Sequence, residues 1–200
     1  MKLTYAEKSV GEFIRELSSA SPTPGGGSAS AVVGSAAAAL IIMDCNLTIG
    51  KESYKHVKKN ILEIRGRCMK VRNLLLRLAD RDARSFEAVM RALSMPRESE
   101  LQKLKRYEKI QSALKKACEV PLEVMYLCSE LQGMANYMAD NGNRNSRSDA
   151  MVGCILAEAA LKGAYENLEV NLESIKDSKF VDEVNRKVAE LMRSLPQFVR

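Results

Sequence analysis

Residues 21–28, Ser-Pro-Thr-Pro-Gly-Gly-Gly-Ser, set three consecutive glycines directly before a run of small apolar residues. Without a Cβ, glycine adopts positive φ freely and bares its backbone N–H groups. A helix N-terminus behind it adds unpaired donors and the positive end of the helix dipole. Pro24, Gly25, Gly26, Gly27 and Ser28 are thus a candidate cradle for an oxyanion, a carboxylate or a polarised carbonyl; the alternative is a flexible connector. No Gly-Lys-Ser/Thr follows, so this is not a Walker A loop, and it lacks the G-x-G-x-x-G spacing of a dinucleotide fingerprint.

Titratable groups sit elsewhere. Lys51 and Tyr54, in Gly-Lys-Glu-Ser-Tyr, are three apart and share a face if a helix begins by Ile49. Asp82 lies in a polar interruption of a regular helical pattern, between Arg81 and Arg84. It is either a surface ion-pair partner of little energetic weight or a carboxylate facing a ligand. Asn143, Ser148 and Asp149 belong to an Asn-, Gly- and Ser-rich segment, 139–149, that reads as a loop, with Ser148 or Asp149 as N-cap of the next helix. Asp44 is a weaker acid–base candidate. Asn167 and Asn171, four apart, either face a site from a helix end or serve as surface or capping residues. His56, in a lysine-rich run, reads as solvent-facing.

Five cysteines form no C-x-x-C pair and have no plausible histidine partner, which argues against a disulfide or metal framework and for reduced, buried thiols in a cytoplasmic protein. The opening residues lack the apolar core of a signal peptide, and Thr4 with Glu7 reads as a capping box. Between Lys51 and Arg77 nine Lys or Arg face only Glu52 and Glu63, a surplus larger than the net charge of +6 of the whole chain. This strip is either the solvated face of an amphipathic helix or a field that attracts an anionic partner.

The elements that must position these groups are helical throughout, since apolar residues recur at threes and fours and no sustained alternation occurs. The pattern predicts helices over about 10–17, 28–43, 57–93, 98–138, 149–171 and 180–195, with Pro121 kinking or dividing the fourth. With 46% apolar residues in 200, one domain spanning 1–200 is expected, an all-α bundle of six or seven helices. Ala31, Gly34, Ser35 and Ala38 share one face of the second helix, which implies close approach by a neighbouring backbone. Ending near Asp44, that helix would span about 24 Å, short of the ~30 Å apolar core of a bilayer, so a buried helix rather than a membrane span is expected.

Five stretches taken in order, PTPGGGSASA, NLTIGKESY, DARSFEAVM, VPLEVM and GNRNSRSDAMVGCILAEAALKGAYENLEVNL, resemble the cyclodeaminase/cyclohydrolase family. The likeness runs from about Tyr5 to Ile175. The resemblance implies a multihelical fold that forms a homodimer, with a helical hairpin used for dimerisation, and a tetrahydrofolate derivative as substrate. It implies one of two reactions through a tetrahedral carbon. A cyclodeaminase closes 5-formiminotetrahydrofolate to 5,10-methenyltetrahydrofolate with loss of ammonia; a cyclohydrolase opens the methenyl bridge with water to give 10-formyltetrahydrofolate.

On that resemblance Lys51 would donate or relay a proton, Tyr54 would position it, and Asp82 would stabilise the cationic carbon. Pro24–Ser28, Asn143, Ser148 and Asp149 would bind substrate, Asp149 through the pterin N–H groups. The chemistry requires no metal or redox cofactor. The basic strip would meet the anionic glutamate tail of the folate, polyglutamylated or not. Rival readings are a basic helical nucleic-acid-binding module and a scaffold without activity. Aromatics at 5%, with few among the basic residues, disfavour stacking on bases, so neither a nucleic acid nor a membrane is an expected partner.

Overall fold

The described residues form six α-helices: α1 (Val10–Leu17), α2 (Gly26–Thr48), α3 (Lys58–Leu93), α4 (Glu100–Asn141), α5 (Arg147–Glu173) and α6 (Ser178–Ser194). Short 3-10 turns cover Tyr5–Glu7, Glu52–Val57 and Arg144–Ser146. The computed structural model describes residues 4–194, and among these no strand occurs, as expected for an all-α bundle. The predicted end of the last helix at Leu195 lies outside the described residues.

The second helix is the axis of the bundle. It packs on α3 and α5, with α4 closing a third side. Ala31, Gly34, Ser35 and Ala38 are all buried, as their spacing predicts. A Cβ on Gly34 would lie 2.8 Å from Cys128 Sγ, 3.3 Å from Leu75 Cδ1 and 3.5 Å from Ala160 Cβ, so α4, α3 and α5 converge on one glycine. The Ser35 hydroxyl donates to Arg72 O across the α3 contact at 3.2 Å. All five cysteines are buried and unpaired.

Several boundaries differ from the sequence reading for physical reasons. The second helix runs through Asp44 to Thr48 because Asp44 is buried rather than a solvated stop. It ends where Ile49 donates back to Cys45 O and Gly50 adopts a φ of 94°, a conformation that favours glycine. At 23 residues it is long and apolar enough to cross a membrane, contrary to the expected shortfall, and half of its most apolar stretch is buried in the bundle. The fourth helix passes undivided through Pro121, whose flanking turns, with Cys118 and Val124, both lie in the core. The expected 139–149 loop shrinks to Gly142 and Asn143 and a single 3-10 turn.

Helix α3 runs antiparallel to α2, with Asp82 beside Gly27, so residues 83–93 overhang the start of α2 by about 16 Å. With the first turns of α4 they form a hairpin that exposes Leu93, Leu101, Leu104 and Tyr107.

Because three helices meet at Gly34, Gly34→Val is expected to destabilise the fold by about 1–3 kcal/mol through overpacking. A denaturant midpoint equal to that of the wild type would refute this packing.

Candidate functional site

The start of α2 is built around close approach. Gly25 is its N-cap, and its carbonyl accepts from Ala29 N at 3.0 Å. A side chain on Gly26 would meet the Asn167 amide at 3.1 Å, and one on Gly27 would collide with the Asp82 carboxyl. None of the three glycines has positive φ. The expected reason for them is thus corrected: Gly26 and Gly27 are required because α5 and α3 press polar side chains against the backbone, whereas a Cβ on Gly25 would meet only Pro22 O at 3.5 Å. Pro24 is buried behind them and is joined to Thr23 by a cis bond.

Ser28, fully buried, ties this turn to α3. Its hydroxyl lies 2.9 Å from Asp82 Oδ2 and 3.0 Å from Ala79 O. It has one proton for two acceptors. When Asp82 is ionised, the hydroxyl and backbone N–H of Ser28 stabilise the charge. When Asp82 is protonated, it can donate to Ser28 Oγ while Ser28 donates to Ala79 O. Both protonation states are therefore hydrogen-bonded without rearrangement. Burial raises the Asp82 pKa above the usual carboxylate value, and the Ser28 bonds oppose that rise.

Gly25, Gly26, Gly27 and Asp82 form one wall of a cleft of about 380 Å³ between the start of α2, the C-terminal part of α3, Leu114 and Ala117 of α4 and the end of α5. Phe86, Val89, Met90 and Leu93 make its apolar side, and Ser85, Asn167 and Asn171 add polar groups. Among the described residues, Asp82 is the one ionisable group lining it. The N-terminal segment is strapped alongside, where Tyr5 N donates to Asp80 Oδ1 at 2.9 Å and the Tyr5 ring packs edge-on against Phe13. Burial, then the charges of Glu16, Asp80 and Asp82, push the Tyr5 hydroxyl up to about 12.

A second polar cluster closes the far end of α2. Fully buried Asp44 receives the Ser146 hydroxyl on Oδ1, while its Oδ2 has no hydrogen-bond partner among the described residues. Thr48 Oγ1 donates to Asp44 O at 2.8 Å and accepts from Asn143 N at 2.9 Å. Asn143 Nδ2 donates to Leu47 O at 3.2 Å, and Arg144 N donates to the Tyr54 hydroxyl at 3.2 Å. A Cβ on Gly142 would come within 3.0 Å of Asp44 Oδ2. Ser146 is the N-cap residue of α5; the expected caps, Ser148 and Asp149, lie inside its first turn. Lys51 and Tyr54 share a 3-10 turn rather than an α-helical face, and they flank a crevice of about 100 Å³ with Lys55 and Lys58.

Pro24–Ser28 and Asp82 are therefore brought together, and so are Lys51, Tyr54 and Asn143. Exposed Ser148 and half-buried Asp149 lie at the same far end. The two groups sit at opposite ends of α2, about 33 Å apart by helical rise, and do not share a pocket within one chain. Asn167, which the sequence leaves ambiguous, belongs to the cleft. Ser146 and Thr48 were missed; only the Ser three residues after Asn143 hinted at a cap.

Burial, and to a lesser degree the charge of Asp149, raise the Asp44 pKa, with the Ser146 bond opposing. Such a carboxyl holds more protons in the folded chain than in the unfolded one. Its contribution to stability is therefore lost as pH rises from about 4 through the raised value. The melting temperature of Asp44→Asn minus that of the wild type should become more positive between pH 4 and pH 8. A gap that stays constant with pH would show that Asp44 is ionised in the folded chain with no raised pKa.

Residues 9–190 match the sequence profile of the family described as formiminotransferase-cyclodeaminase. A methenyltetrahydrofolate cyclohydrolase of Methylorubrum extorquens is 37% identical over 92% of this chain and 89% of its own. The formimidoyltransferase-cyclodeaminase of Gallus gallus is 31% identical over 95% of this chain, which spans only 35% of that longer protein. The crystal structure of a formiminotetrahydrofolate cyclodeaminase from Thermotoga maritima superposes with a TM-score of 0.87 at 30% identity, covering 95% of this chain and 91% of the other. The glycine turn, the buried Asp82 and the far-end cluster thus sit in a sequence and a fold shared with these enzymes, and the chain belongs to the formiminotransferase-cyclodeaminase family.

Proposed function

We propose that the chain converts 5-formiminotetrahydrofolate to 5,10-methenyltetrahydrofolate with release of ammonia, at the cleft beside Gly25–Ser28. The observation that carries this reading is Asp82, a buried carboxyl that is hydrogen-bonded in both protonation states and is the one ionisable group among the described residues that line the cleft. N10 attacks the formimino carbon and a C–N bond forms. The carboxylate takes the N10 proton and returns it to the former imino nitrogen, which departs as ammonia as its bond to carbon breaks. A carboxylate in a cleft with no lysine or arginine among its described lining residues suits the cationic amidine at both ends of this path.

The second reading is 5,10-methenyltetrahydrofolate cyclohydrolase. The Methylorubrum extorquens enzyme, matched over nearly its full length, favours it. There the same carboxylate takes a proton from water as it attacks the methenyl carbon. Apolar walls and the absence of a metal-ligand cluster among the described residues are compatible with both. The exposed lysines 51, 55, 58 and 59 support the far end of α2 as the place where an anionic glutamate tail is attracted. Five buried thiols support a cytoplasmic setting.

We also propose a homodimer. Ala36, Ala39, Met43 and Leu47 leave an uncharged stripe of α2 exposed, flanked by Val152 and Ile155 of α5. A two-fold axis near Ala36–Ala39 sets the far end of one α2 beside the cleft end of the other, and the overhanging hairpin becomes a clasp. Lys51 and Asp149 of the second copy then complete the site that Asp82 begins.

Asp82→Asn should lower turnover about 10²–10⁴-fold with unchanged circular dichroism, followed through the near-ultraviolet methenyl absorbance and ammonia release. Turnover near the wild-type level would remove Asp82 from the chemistry, and a wild type inert toward both folates would sink the reading. Co-refolding Asp82→Asn with Lys51→Met chains should restore about a quarter of wild-type activity, since half the dimers carry one intact shared site. No recovery would leave each site within one chain.

A further inference from the structure

Ser28 stands apart from the glycines that precede it. Gly25, Gly26 and Gly27 line the cleft with Asp82, whereas Ser28 is fully buried behind that wall. Its hydroxyl reaches Asp82 Oδ2 at 2.9 Å and Ala79 O at 3.0 Å. A side chain on Gly27 would collide first with Asp82 Oδ1, so that oxygen lies over a glycine of the cleft wall while Oδ2 is held by the buried serine. Among the described residues no side-chain hydrogen bond reaches Oδ1. The two carboxyl oxygens are therefore unequal before any ligand enters.

Resting on the folate reading, we infer that Ser28 is a positioning residue rather than the substrate contact expected from the sequence: it pins Asp82 Oδ2, and Oδ1 is the oxygen that takes the N10 proton and returns it to the departing nitrogen. The Ser28 bond is stronger to the charged form of the carboxyl than to the neutral one. It therefore keeps Asp82 ionised at a lower pH than burial alone would allow, and its removal raises the pH at which the carboxylate appears. The titratable groups around Asp82 are otherwise engaged. On the N-terminal segment, the Tyr5 hydroxyl is pushed up to about 12 and stays neutral, and Glu16 pairs with Lys8. On α3, Asp80 accepts from Tyr5 N, Glu87 lies 3.7 Å from Arg91, Arg81 is turned to Glu119 and Glu123 of α4, and Arg84 is exposed. The described cleft-lining residues from α2, α4 and α5 carry no charge.

The test is the pH profile of kcat/KM for 5-formiminotetrahydrofolate in the wild type, Ser28→Ala and Ser28→Thr. In Ser28→Ala the acid limb should move to higher pH by about one unit, a loss of about tenfold below the limb, with KM above the limb unchanged. Ser28→Thr keeps the hydroxyl and should hold the limb in place, whatever its extra methyl does to the melting temperature. An unmoved limb in Ser28→Ala, a raised KM as its sole effect, or a folded Ser28→Thr that matches Ser28→Ala would overturn the assignment. The Asp82 carboxyl is also titrated without substrate by carbon-13 NMR, its resonance identified by its loss in Asp82→Asn, and the same upward shift is expected there in Ser28→Ala. A wild type inert toward both folates, with that shift present, defeats the folate reading and leaves Ser28 as the group that holds Asp82. A carboxyl midpoint that stays put in Ser28→Ala defeats the Ser28 assignment whatever the activity.

Discussion

The fold depends on how near three helices come to α2. Gly34 lies under a sulfur, a leucine methyl and an alanine Cβ from three different helices, and Ala31, Ser35 and Ala38 are as tightly covered. Interiors packed to crystal-like density accommodate no extra methylene at such points. The middle of α2 is thus reserved for packing, and polar chemistry is displaced to its two ends. There the helix termini leave backbone groups open, and neighbouring elements can bring side chains up to them.

Each end buries a carboxyl, but the two are served differently. Asp82 lies over a glycine backbone with a serine whose proton can face either way, and it borders open space. Asp44 is sealed, with one oxygen bonded to Ser146 and the other without a partner. Low dielectric raises the proton affinity of both. Only the first can exchange its proton with a ligand. The second joins the α4–α5 turn to the end of α2 and so holds Asn143 and the backbone beside Tyr54 in place.

The glycine turn shows how a correct location can carry a wrong mechanism. Three glycines before a helix point to a special backbone, and the cleft does form there. Their φ values are not positive; what the turn needs is empty space at Gly27 for Asp82, 55 positions further along the chain, and at Gly26 for Asn167, 141 positions further. The helix ends moved for related reasons. Asp44 reads as a stop until a partner on another helix buries it, and Ser148 and Asp149 read as caps until Ser146 is drawn to Asp44 and starts α5 earlier.

Local chemistry written along the chain was sufficient for the helical class, the small-residue face of α2, the reduced cysteines and the family motifs. These follow from spacing and residue type within a few turns, where periodicity and volume act directly. Which motifs share a pocket was decided only by tertiary structure. Lys51 and Asp82 both look catalytic in sequence, yet a 23-residue helix separates their ends by about 33 Å, because a rigid helix converts chain length into fixed distance. The orientation of Asn167 was equally out of reach, since it is set by Gly163 on its own helix and by Gly26 on another. Sequence determines what each helix can bury; only packing determines which polar ends meet.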